Sequence, residues 1–194
     1  MPGRDLLAQA QGPNTHSGPA TRKGTAMLQL QAPALLKPAL ELRRYLDGGG
    51  LLTPWAEKRS GQPVHADVER TGPMTLDRQE AGQLGLPEPG LAGNGNWAAL
   101  RRSGELVQAD GTKVARVTSV VALARITPET VKALQTTRIP LGTAIGDRGR
   151  SLVLWCSVGI CEYAVACGRL ILVDDMPVAL TTDWVLWSWL GSLP

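Results

Sequence analysis

The sequence predicts an α+β fold, a single antiparallel β-sheet with its helices gathered on one face. Three observations predict it. From Trp97 onward the chain is a succession of apolar, strand-like runs joined by turns, with one helical stretch among them. An Ala109-Asp110-Gly111 turn sits between two β-rich segments, which is a hairpin signal. Upstream of Trp97 the pattern is different, with short helical segments flanking one strand.

The elements follow in order. In "APALLKPALELRRYLDGGG" (32–50), Leu35, Leu36, Ala39, Leu40, Arg43 and Tyr45 or Leu46 recur near the helical period, and the glycines from Gly48 stop the helix. Thr53 and Pro54 open a second helix, because proline is tolerated where the first-turn N–H groups have no partner. A Gly61-Gln62-Pro63 turn then leads into a strand over Val64 to Val68. Asp77 and Glu80 have capping-box spacing for a short helix ending near Gly85, and residues 88–96 read as loop. Thr127 and Pro128 are the N-cap and first residue of a helix through "TPETVKALQ". The runs "SLVLWCSVGI", "CGRLILV" and "PVALTTDWVLWSWL" complete the sheet.

A chain of 194 residues is long enough for one domain with a real core. Residues 1–26 are rich in Gly, Pro, Thr and Gln and have little to bury, so they are expected to be a disordered tail ahead of a domain spanning 27–194. Net charge is only +3, and its 20 basic and 17 acidic residues are interspersed, which argues against nucleic acid as a partner. The longest apolar run, ending at Val173, is broken by Glu162 and Arg169 and reads as two core strands, so no membrane segment is expected. Cys156, Cys161 and Cys167 are odd in number and far in sequence from His16 and His65. They are read as buried free thiols in a reducing, cytoplasmic setting, with no metal site.

The order of several short motifs resembles the chorismate pyruvate-lyase family. They are a "LT" helix opening followed by "GQPV", a "LRR" before a hairpin carrying "DG", then "VTSVV", "RIPLG" and "RLILVDDMPVALTTDWVL". The resemblance runs from about residue 33 to 190. It implies a chorismate-lyase-like fold, and a monomeric enzyme that converts chorismate to 4-hydroxybenzoate and pyruvate for a ubiquinone-type pathway, without metal or organic cofactor. It also implies site residues. An arginine of the "LRR" holds the substrate carboxylate, with Arg101 the first choice and Arg102 beside it. Leu141 and Gly142 of the "PLG" turn and Leu52 of the early helix wall the pocket. Thr182-Asp183 stands where the family has threonine-glutamate, so Asp183 is the implied acid, shorter by one methylene.

The residue types fit that chemistry. A guanidinium offsets the desolvation of a carboxylate through paired hydrogen bonds, and a carboxylic acid raised in pKa by apolar surroundings can protonate a poor leaving group. Each residue also has a structural reading: Arg101 and Arg102 as solvated strand charges, Leu52 as core, and Asp183 as the partner of a structural arginine such as Arg169. The alternative function is a non-catalytic domain binding an aromatic acid on the same scaffold, since a fold does not by itself specify an activity.

Overall fold

A computed structural model describes residues 36–88, 97–160 and 163–193, and the expected tail lies outside these residues. In chain order, a helix over residues 36–47 (α1) precedes α2 (Leu52–Ser60), β1 (Val64–Thr75), α3 (Arg78–Gln83), β2 (Ala98–Gln108) and β3 (Lys113–Ala122). Then come α4 (Pro128–Thr136), α5 (Leu141–Ile145), β4 (Gly149–Ile160), β5 (Tyr163–Val173), β6 (Met176–Leu186) and α6 (Trp187–Leu190). The strands form one six-stranded sheet in the order β1-β2-β3-β6-β5-β4, and every neighbouring pair is antiparallel. The predicted α+β class with a single antiparallel sheet is the observed architecture.

Local chemistry explains most boundaries. Asp77 accepts from the Glu80 N–H at 2.7 Å while the Glu80 carboxylate accepts from the Asp77 N–H at 3.1 Å, closing the capping box of α3. Thr127 caps α4 with Pro128 in its first turn. The β2–β3 hairpin turns through Gly111, whose φ of 87° suits glycine, and the β5–β6 hairpin turns through Asp174 and Asp175, both with positive φ. Helix α2 begins at Leu52, one residue ahead of the expected Thr53. The strand expected over Val64 to Val68 continues to Thr75, because Arg70 to Thr75 pair with β2 after a bulge. "WSWL" makes a helical turn instead of extending the last strand, which buries Trp189 against Trp55 at a ring separation of 5.8 Å.

Register assigns side chains to the two faces. On one face Leu42 and Leu46 of α1, Leu52 and Ala56 of α2, and Trp189 and Leu190 of α6 cover Leu106, Ala115, Val165 and Val185 of the sheet. Beside them Leu134 of α4 and Ile145 of α5 cover Leu100, Val121, Ile171 and Ala179. The other face carries α3, whose Ala81 packs with Leu84 on Ala99, Val120 and Leu170. The sequence gathered all helices on one side; α3 departs from this because its short apolar edge, set by the capping box, folds back over the β2–β3 end of the sheet.

The free-thiol expectation is corrected at two of the three cysteines. Cys156 and Cys167 are cross-strand partners on β4 and β5 and form a disulfide. Because β4 and β5 pair antiparallel, two cysteines that a single strand would have sent to opposite faces meet on the same one. Cys161 lies outside the described residues. The cysteines therefore no longer argue for a reducing compartment. No helix among the described residues is long and apolar enough to cross a membrane.

At Gly104 the β1 bulge brings backbone so close that a Cβ would stand 2.1 Å from the Asp67 carbonyl oxygen. Gly104→Ala must displace one of two paired strands, with an expected loss of about 1–3 kcal/mol. Urea denaturation checks this, and unchanged stability would mean that β1 yields without cost.

Candidate functional site

The sheet face beneath α2 and α5 carries an unusual row of buried polar side chains. Arg102 of β2 pairs in register with Ser119 of β3, Ser119 with Thr181 of β6, and Thr181 with Arg169 of β5. Directly opposed residues share a face, so all four side chains point toward the helices. Their exposures are 5% for Arg102, 4% for Ser119, 6% for Thr181 and 4% for Arg169. Two residues along β6 from Thr181, Asp183 points the same way and is 2% exposed.

Arg169 and Asp183 satisfy each other. Arg169 Nε donates to Asp183 Oδ2 at 2.6 Å, and Arg169 Nη2 contacts the same oxygen. Burial pushes the Asp183 carboxyl above the usual carboxylate range, with the Arg169 charge and hydrogen bond pulling in the other direction. Two guanidinium N–H groups converging on one oxygen are the arrangement of a charge-assisted ion pair. Arg169 Nη1 and Thr181 Oγ1 remain buried without a hydrogen-bond partner.

Arg102 is the contrasting case. Its Nη1 donates to the Ile139 carbonyl at 3.1 Å and its Nη2 to the Thr137 carbonyl at 3.4 Å, while its Nε is buried without a partner. No carboxylate is paired with it among the described ion pairs. Burial lowers its pKa, the mark of a cation held away from water without full compensation. Together with the Ala66 N–H donating to the Arg138 carbonyl at 2.7 Å, Arg102 clamps the 137–139 segment that leads into Pro140-Leu141-Gly142. The "PLG" turn is thus the roof of the site, held from below by an arginine.

Two adjoining cavities lie under this roof. One is lined by Leu52, Thr53, Leu141, Gly142, Arg169, Thr181 and Asp183, and the other by Arg102, Ser103, Gly104 and Ser119. Leu106, Val117, Pro140 and Leu141 belong to both and form the partition. Each encloses only ≈ 40 Å³, room for a water-sized group, so a ring-sized ligand requires α2 and α5 to draw apart from the sheet.

The predicted site residues divide by face. Leu52, Leu141, Gly142 and Asp183 line the first cavity and Arg102 the second. Arg101 does not join them: it is exposed on the opposite face, where it pairs with Glu80 of α3 at 3.2 Å. Thr182 likewise turns to that face and lines a groove of ≈ 460 Å³ with Arg101 and Trp155. Strand alternation is the reason, because neighbours on a strand point to opposite sides, so Thr182 and Asp183 cannot both enter one site. The residues missed were Thr181 and Ser119. Counting back two from Asp183 along an extended run reaches Thr181, so that signal was present. Among the described residues, no cluster of three or more His, Cys, Asp or Glu side chains is placed to hold a metal ion.

No protein-family model and no curated protein sequence matches this chain. Among solved structures it is similar to PhnF from Mycobacterium smegmatis, at 16% identity and a TM-score of 0.49 over 71% of this chain and 64% of that one. The chain thus spans less than two thirds of PhnF. The separately solved PhnF effector domain matches at 17% identity with a TM-score of 0.49, covering 71% of this chain and 88% of that domain. A third likeness is to the ligand-binding domain of a protein assigned to the GntR family of transcriptional regulators from Bordetella bronchiseptica. It has 12% identity and a TM-score of 0.44, over 64% of this chain and 83% of that one.

Removing the charge of Asp183 while keeping its shape tests the ion pair. Asp183→Asn leaves the Arg169 guanidinium buried and unpaired, with an expected loss of about 3–5 kcal/mol. Chemical denaturation measures it, and a variant as stable as the parent would show that Asp183 does not neutralise Arg169.

Proposed function

We propose that this chain binds a small organic acid beneath the Pro140-Leu141-Gly142 roof, with Arg102 holding its carboxylate, and that it acts as a binding domain and not as a lyase. The observation that supports this is the contrast between the two buried arginines. Arg169 has a carboxylate and Arg102 has none. An incoming carboxylate would supply the missing charge and accept from the unpartnered Arg102 Nε. Asp183, the residue that the chorismate-lyase resemblance nominates as acid, is already engaged by Arg169, which disfavours its acting as a free proton donor. An aromatic acid such as 4-hydroxybenzoate is the first ligand to try, because Leu52, Leu106, Val117, Pro140 and Leu141 supply apolar wall beside the polar row.

The second reading is the lyase itself, converting chorismate to 4-hydroxybenzoate and pyruvate. One observation favours it: burial raises the Asp183 carboxyl, which is the condition that a general acid at neutral pH requires.

Thermal unfolding with and without ligand tests the binding reading, since a ligand at a hundred times its Kd stabilises by about 2.7 kcal/mol. 4-Hydroxybenzoate should raise the Tm of the parent and not of Arg102→Met. A ligand-induced shift that survives in Arg102→Met would remove Arg102 from the site. Incubation with chorismate decides between the readings: 4-hydroxybenzoate formed by the parent would replace the binder by the lyase.

Gly142 offers a separate check. A Cβ there would meet Thr53 and Leu51 at 3.5–3.7 Å, ordinary van der Waals contact, while occupying cavity space. Gly142→Ala should therefore keep or raise stability by up to about 1 kcal/mol and weaken ligand binding. A loss of stability without loss of binding would place Gly142 in the scaffold alone.

A further inference from the structure

The first cavity contains two polar atoms that the fold leaves unused, Arg169 Nη1 and Thr181 Oγ1, on side chains more than nine-tenths buried and lining the same space. A buried donor without an acceptor is costly, and native structures rarely leave two together. Arg169 Nη1 can only donate, and the Thr181 hydroxyl can rotate to donate beside it. The pair therefore asks for an oxygen acceptor.

Charge decides which kind. The fully buried ionic groups in the two cavities are Arg102, Arg169 and Asp183, two cations and one anion; Asp67 and Glu105 also border the second cavity, but they reach solvent and are paired with Arg138 and Lys113. One carboxylate at Arg102 brings the set to neutrality, and a second negative group would be buried without compensation. Position decides where it lies. Thr181 is two strands from Arg102 along one row of the sheet, about 10 Å at the usual strand spacing, with the buried Ser119 between them. An arginine reaching toward one end of a small ring acid leaves the other end beside Thr181.

We propose that Thr181 and Arg169 form a specificity-determining subsite, selecting a monocarboxylic acid that carries a neutral oxygen acceptor at the end opposite its carboxylate. This rests on the acid-binding reading of the same cavities.

Three probes of matched shape test it by calorimetry on the full chain: 4-hydroxybenzoate, 4-methylbenzoate and the dianion benzene-1,4-dicarboxylate. The hydroxy acid should bind about tenfold or more tightly than either of the others. Thr181→Val should shrink the preference for hydroxyl over methyl severalfold, and Thr181→Ser should restore it. Equal affinity for the hydroxy and methyl acids, a preference untouched by Thr181→Val, or tightest binding of the dianion would overturn the subsite while leaving the acid-binding reading standing. Binding of none of the three overturns both.

Discussion

The contact between Arg169 and Asp183 is the constraint around which the rest of this face is arranged. Two opposite charges lie buried in the helix-covered layer, on the adjacent strands β5 and β6. Such a pair gains little over well-packed apolar residues of similar size, yet removing one partner strands the other at high cost. It therefore ties the two strands and their register together more by penalty than by reward. A one-residue slip of β6 would turn Asp183 to the α3 face and bring Thr182 under the helices, leaving Arg169 without its counter-charge. The neighbouring Cys156–Cys167 disulfide acts on the same row, since Cys167 is the cross-strand partner of Asp183. β4, β5 and β6 are thereby linked at one level by a covalent bond and an ion pair.

Arg102 ties down a different part of the molecule. Its two hydrogen bonds go to carbonyls of a connecting segment, and it is this segment that positions the Pro140-Leu141-Gly142 roof over the sheet. An arginine that only anchored a loop could be replaced by uncharged donors at smaller desolvation cost. A full charge kept under the roof with Nε unspent is the feature on which the proposed anion-binding reading rests. On the proposed binding reading the loop anchor and the ligand anchor are one residue, and occupancy of the site would be coupled to the order of the roof.

What could be read from the sequence was whatever depends on near neighbours in the chain. The Asp77–Glu80 capping box, the Thr127-Pro128 helix start and the Gly111 turn each require residues within a few positions, and each is found where expected. The sheet was legible where tight turns join consecutive strands, as in β2–β3 and β5–β6, and less so at the β3–β4 connection, which carries α4 and α5 past β6 and β5. Facing was harder, because it depends on long-range pairing. Arg101 and Arg102 differ in sequence by one position and in the structure by an entire face, one against Glu80 and the other under the roof. Likewise nothing local announced that Cys156 would meet Cys167, since that contact exists only once β4 and β5 have paired in register. "WSWL" has the composition of a strand end, but Trp189 gains more by turning inward onto Trp55 than by extending an edge.

The shortened acid at position 183 takes on a different meaning in this setting. A glutamate on the same strand would carry its carboxyl group one methylene farther from the sheet, toward the space under the roof. Aspartate keeps the group close to the backbone, within reach of the guanidinium on the adjacent strand. A proton donor must present its acid to the substrate, whereas a counter-ion need only stay beside its cation. In this chain the shorter side chain, the adjacent arginine and the complete burial all favour the second role. What remains free to meet a ligand is a set of donors, Arg102 Nε, Arg169 Nη1 and the Thr181 hydroxyl. Donors of this kind are suited to recognising oxygen acceptors.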